Sequence, residues 1–176
     1  FPTRRSSDLY FDEQAALAAT DAEGFARELD LALGGGIVAG SLVLIGGDPG
    51  IGKSTILLQT LTHLAQQQKA LYITGEESLS QVAMRGKRLE LPCDKVMIMA
   101  ETCVENIAAT LRAEKPAVAV IDSIQTMLAE DVDNLPGTPT AVRAATAQLI
   151  GYAKASNIPV LIIGQVTKEG TVAGPK

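Results

Sequence analysis

The sequence has 176 residues, 47% hydrophobic and 20% charged, which suffices for one domain with a real core and excludes a disordered tail. A net charge of −5 leaves no global field for polyanions, so any nucleic-acid contact must be a local patch. No stretch approaches the ~20 apolar residues of a membrane span, and Cys93 and Cys103 form neither a C-x-x-C pair nor a disulfide framework.

Aromatics make up only 3%, Trp is absent, and Gly reaches 16, a profile that suits an α/β core packed with Ala, Val, Leu and Ile. The two cysteines are then expected as small core or helix residues in a reducing cytosol. Phe1–Leu9 reads FPTRRSSDL, with no apolar run after its arginines, so it is no secretory signal. It matches the translation of a common sequencing adapter and is expected to lie outside the natural protein. Residues 10–23 form a lead-in, and 24–176 the core.

From Ser41 onward, short apolar runs alternate with amphipathic segments, the rhythm of a parallel sheet with helical crossovers. Ser41–Gly46 reads as a buried strand. Gly52–Gln68 reads as a helix with Leu57, Leu61 and Leu64 on one face, and Ala70–Thr74 as the second strand. Ser78 and Gln81 have capping-box spacing, followed by a core stripe of Leu79, Val82 and Ala83. Arg85, Lys87 and Arg88 fall on the solvated face of that helix. Val96–Met99 is a third strand. Thr102 and Glu105 form a second capping box, before Val104, Ile107, Ala108 and Leu111 at helical spacing. Ala117–Ile121 is apolar throughout, as in a strand covered on both faces. A polar loop from Met127 to Pro139 leads to a helix over Thr140–Ser156, and Ile158–Gly164 is the fifth strand.

Gly47-Asp48-Pro49-Gly50-Ile51-Gly52-Lys53-Ser54 satisfies G-x-x-x-x-G-K-[ST] between a strand and a helix. Glycines let successive backbone N–H groups curl around a phosphate, and the following helix points its positive end at the same anion. Lys53 adds a point charge, Ser54 a hydroxyl for Mg2+, and Thr55 completes the loop's nucleotide contacts. Such a loop needs a carboxylate on a neighbouring strand end, and Asp122 supplies it after five apolar residues. Hydrolysis needs a group to activate water, and Glu76 and Glu77 follow the second strand at the same rim. Gln165 ends the fifth strand there, placed to sense the γ-phosphate. His63, beside the Leu stripe, is read as a surface residue. No N-K-x-D string occurs, which argues against guanine recognition.

Taken with Glu28-Leu29-Asp30, Leu33-Gly34-Gly35-Gly36-Ile37, Thr74-Gly75-Glu76-Glu77-Ser78, Ile121-Asp122-Ser123-Ile124-Gln125-Thr126 and Val166-Thr167-Lys168-Glu169-Gly170, the loop resembles the bacterial RadA (Sms) DNA-repair family of RecA-like ATPases from about Gly24 to Lys176. The resemblance implies an α/β RecA-like P-loop NTPase fold with strand order 3-2-4-5-1. It also implies a cytoplasmic ATP- and Mg2+-dependent enzyme that forms rings on single-stranded DNA, promotes branch migration and works beside a recombinase partner. It makes Glu76 the water-activating glutamate and Gln165 the residue that transmits nucleotide state to a DNA loop. The channel loops become Met127–Pro139 and Val166–Lys176, with Lys168 as the phosphate contact; a locally basic channel reconciles the acidic whole. Family members also carry a four-cysteine zinc finger, a Lys-Asn-Arg-Phe-Gly motif and a Lon-protease-like domain. None of these occurs in the 176 residues. The stretch is therefore read as a central core with weak turnover alone, its P-loop strand at an open sheet edge. A clock-type or replicative-helicase-like RecA ATPase, or a nucleotide-gated binding module with little turnover, are the alternatives.

Overall fold

The computed structural model describes residues 8–10, 36–131 and 135–165. Six parallel strands form one sheet: β1 (Asp8–Tyr10), β2 (Leu42–Gly47), β3 (Ala70–Thr74), β4 (Met97–Ala100), β5 (Val118–Asp122) and β6 (Val160–Gln165). Their order is β1-β2-β6-β5-β3-β4. Counted from the P-loop strand and read from the β4 edge, this is the expected 3-2-4-5-1 with one strand added.

The addition corrects one expectation. The P-loop strand β2 is not at the edge, because β1 pairs with it in register, Asp8 beside Leu44 and Tyr10 beside Gly46. Two of the three β1 residues belong to the FPTRRSSDL string. A parallel partner on β2 satisfies backbone groups that would otherwise stand open.

Strand alternation sends residues to two apolar layers. On one face, Val43, Ile45, Ala70, Tyr72, Val118, Val120, Leu161 and Ile163 pack with helix α1 (Lys53–Leu64), through Ile56, Leu57, Leu58 and Leu61, and with Val82 of α2 (Leu79–Arg88). On the other, Leu71, Ile73, Ala119, Ile121, Val160 and Ile162 meet α3 (Val104–Glu114) and α4 (Pro139–Ser156). Both faces being covered explains why β3 and β5 are buried at every residue and read as unbroken apolar runs.

Helix α2 departs from the expected stripe. Its Ser78–Gln81 capping box forms, with both bonds made, but Leu79 is 49% exposed and Ala83 lies outside the core. Val82 and Gly86 are buried instead, since a Cβ at Gly86 would stand 2.5 Å from Cys93 Sγ. The Thr102–Glu105 box does not form. Cys103 is the N-cap of α3 and has no side-chain cap bond; Glu101 Oε1 accepts the N–H of Thr102 at 2.8 Å and of Cys103 at 2.9 Å instead. The expected polar loop also begins inside the core, with Met127 and Ala129 buried and Leu128 bridged to Cys103.

Candidate functional site

Because all strands run the same way, β2, β3, β5 and β6 end on one rim, with Gly47 level with Gln165 and Thr74 level with Asp122. The P-loop joins β2 to α1 there. Gly50 and Gly52 adopt φ of +78° and +100°, conformations that side chains resist, and a Cβ at either would meet nothing within 4 Å. The loop therefore opens toward free space, bounded by the N-terminus of α1 with Ser54 and Thr55 in its first turn.

Lys53 arches over this loop. Its Nζ donates to Gly47 O at 2.8 Å and to Asp48 O at 2.6 Å, and the residue is only 6% exposed. Burial pulls the ammonium below its ordinary range, while the charges of Asp122, Asp48 and Glu76, in that order, pull it back. Asp122 and Glu76 thus share an electrostatic neighbourhood with the P-loop lysine, although one ends β5 and the other lies in the turn after β3. Asp122 is 7% exposed and follows β5's alternation onto the α1 face.

The two glutamates after β3 occupy different environments. Glu77 N–H bonds Thr74 Oγ1 at 2.9 Å, which in turn donates to Glu77 O, and Glu77 Oε2 lies 3.0 Å from Arg85 Nη2. Glu76 is exposed, and Ser123 Oγ donates to its Oε1 at 2.6 Å. Thr126 Oγ1 donates to Ser123 O at 2.8 Å within the 3-10 turn Ile124–Thr126, steadying the residue that reaches Glu76.

Three further features extend the sequence reading. Arg85 is not on a solvated face: its side chain is 11% exposed, its Nη2 donates to Tyr72 Oη at 2.9 Å, and Tyr72 Oη donates to Asp122 Oδ2 at 2.5 Å. Gln125 Nε2 donates to Gln165 O at 3.3 Å, tying the turn after β5 to the end of β6. His63 is exposed, as expected. The signal for Tyr72 was available, a lone phenol at the centre of an apolar strand, since a buried tyrosine hydroxyl needs a partner. Lys168 and the Val166–Lys176 loop lie outside the described residues, as does part of Met127–Pro139.

The donor set suits a nucleotide with a divalent cation. A ring of backbone amides, a helix N-terminus and a lysine suit phosphates, while a hydroxyl at Ser54 and a carboxylate at Asp122 are the hard oxygen ligands Mg2+ prefers. Among the described residues no helix is long and apolar enough to cross a membrane.

Comparison with known proteins places this geometry. The AAA domain family matches residues 11–171. The DNA repair protein RadA of Pseudomonas aeruginosa is 59% identical over 149 residues, 85% of this chain and 33% of that protein. RadA of Escherichia coli is 53% identical over 150 residues, and RadA of Aquifex aeolicus 45%, at the same coverage of this chain. The chain spans about a third of the length of the curated relatives it matches. Among solved structures, the RadB recombinase superposes with a TM-score of 0.54 at 24% identity, covering 78% of this chain and 66% of that one, a likeness of fold.

Proposed function

The chain belongs to the AAA domain family and carries a RadA-type, RecA-like ATPase core, and on that premise we propose that it binds and hydrolyses Mg-ATP to drive DNA repair. In this reading hydrolysis is coupled to single-stranded DNA binding and branch migration by a cytoplasmic ring of the full-length protein, beside a recombinase partner. The observation that carries it is the meeting of the β3 and β5 ends beside the P-loop, where Ser123, next to Asp122, bonds Glu76 at 2.6 Å and the charges of Asp122 and Glu76 both act on Lys53.

The residues divide the work. Amides from Gly47 to Thr55 cradle the phosphates, and Lys53 exchanges its loop carbonyls for phosphate oxygens. Ser54 and Asp122 would hold Mg2+, which would supply positive charge to offset that of the phosphates. Glu76 orients a water toward the γ-phosphate and accepts its proton, steadied by Ser123. Gln165, bound through its carbonyl to Gln125, couples that rim to the following loop, where Lys168 contacts DNA phosphate.

Two substitutions test this reading. Lys53→Ala should abolish binding of a fluorescent ATP analogue. Glu76→Gln should keep binding but lower single-turnover hydrolysis at least ~100-fold, the scale of a lost general base. Undiminished hydrolysis in Glu76→Gln would remove Glu76 from its role, and undiminished binding in Lys53→Ala would remove the phosphate cradle.

A further inference from the structure

Tyr72 and Arg85 are charged or polar groups in the interior that no step above consumes. Tyr72 is 0% exposed at the centre of β3, and Phe there would fill the same core volume. Its hydroxyl instead lies between Arg85 and Asp122. The direction of the chain is fixed by chemistry: a guanidinium can only donate, so its N–H occupies a lone pair of the phenol oxygen. The phenol proton then has to go to Asp122 Oδ2. A donor bond from a cation polarises the phenol and strengthens its own bond to the carboxylate. Arg85 is itself held from the other side by Glu77 at 3.0 Å, and its Cζ lies 5.8 Å from the Tyr72 ring centre.

We propose that Tyr72 and Arg85 are positioning residues for the metal-side carboxylate, a relay Glu77–Arg85–Tyr72–Asp122, buried at its Tyr72–Asp122 end, that fixes the Asp122 rotamer and ties it to helix α2 and to Glu77. The relay spans β5, β3 and α2, so a shift of α2 or of the Thr74–Ser78 turn is felt at Asp122 without any contact to nucleotide. This rests on the nucleotide reading above and adds to it a residue pair that lies outside the P-loop and the strand-end carboxylates.

The test is the affinity of the chain for a fluorescent ATP analogue, measured once in EDTA and once in excess Mg2+. Wild type should gain affinity with Mg2+. Tyr72→Phe should keep its EDTA affinity within about twofold but lose about tenfold of the Mg2+-dependent gain, the scale of a hydrogen bond to a charged group. Equal losses in both conditions would mean that Tyr72 only supports the fold, and an intact gain would mean that Asp122 needs no clamp; either overturns the relay. Arg85 gives an independent arm. Arg85→Lys, still able to donate to the phenol, should retain more of the gain than Arg85→Met, and equal loss in the two refutes it. If wild type binds no nucleotide in either condition, the nucleotide reading fails first.

Discussion

Gly75→Ala is the sharpest perturbation of the rim. Gly75 N–H bonds Asp122 O at 2.8 Å, holding β3 against β5 where both end. An added Cβ would stand 2.0 Å from Thr126 Oγ1 and 2.8 Å from Thr126 Cβ, inside any tolerable contact. The hydroxyl cannot simply rotate away, because Cβ is also too close, so the Ile124–Thr126 turn must move. Overpacking of this kind costs ~1–3 kcal/mol, and loss of the Thr126–Ser123 bond adds about 1. The expected loss is thus ~2–4 kcal/mol, or roughly 4–16 °C in melting temperature for a chain of this size. Ser123 moves with the turn, so Glu76 loses its hydroxyl partner and hydrolysis falls more than nucleotide affinity. Urea denaturation followed by circular dichroism measures the first effect. Adding Thr126→Gly removes both clashing atoms and should recover at least half of the loss. Gly75→Ala within ~0.5 kcal/mol of wild type, or a double variant no better than the single, refutes the reasoning.

Two more outcomes follow from the same geometry. Ser123→Ala removes the 2.6 Å bond to Glu76 and should lower kcat about 3- to 10-fold with the KM for ATP unchanged, read by steady-state phosphate release. Glu101 is held below its ordinary value of 4.5, chiefly by the Cys103 N–H, with Asn106 and Thr102 assisting against partial burial. A depressed folded-state value stabilises the fold above about pH 4.5 and is lost as pH falls through the lower value. Glu101→Gln should therefore cost about 1 kcal/mol at neutral pH, like loss of a helix cap, with the gap to wild type closing in acid. A gap that stays constant from pH 7 to about pH 3 counts against this cap.

Much of the fold was legible because both faces of the sheet are covered. The continuous apolar run Ala117–Ile121 reads as a strand buried on two sides, and β5 occupies Val118–Asp122, while the P-loop consensus marks where β2 ends. The readings that failed were those in which a neighbour far in sequence decides. Gly86 is buried because Cys93 needs the space, which helical periodicity does not register. Thr102 lost its cap to Glu101, a residue that the box spacing ignores but that reaches two orphan N–H groups at once. Sequence alone places Arg85 in solvent, where a charged residue on a short helix usually lies. Its partner Tyr72 is 13 positions away on another element, and nothing local links the two.

The glutamate pair illustrates the same point at the proposed nucleotide site. Sequence offers Glu76 and Glu77 as equals, adjacent and at one rim. The turn after β3 separates them by their partners, Glu76 meeting Ser123 and Glu77 meeting Arg85. Glu77 is committed three times over, its backbone N–H and C=O to Thr74 and its carboxylate beside Arg85. Leaving that cation would take the carboxylate partner from a guanidinium that is largely out of water. Glu76 gives up only a neutral hydroxyl at Ser123 and stays exposed on the side that Lys53 senses. The cheaper displacement is the one a proton acceptor needs. Glu77→Gln should therefore disturb the metal-side relay and spare single-turnover chemistry at saturating Mg2+, whereas Glu76→Gln does the reverse; a larger loss of turnover in Glu77→Gln would exchange the two roles.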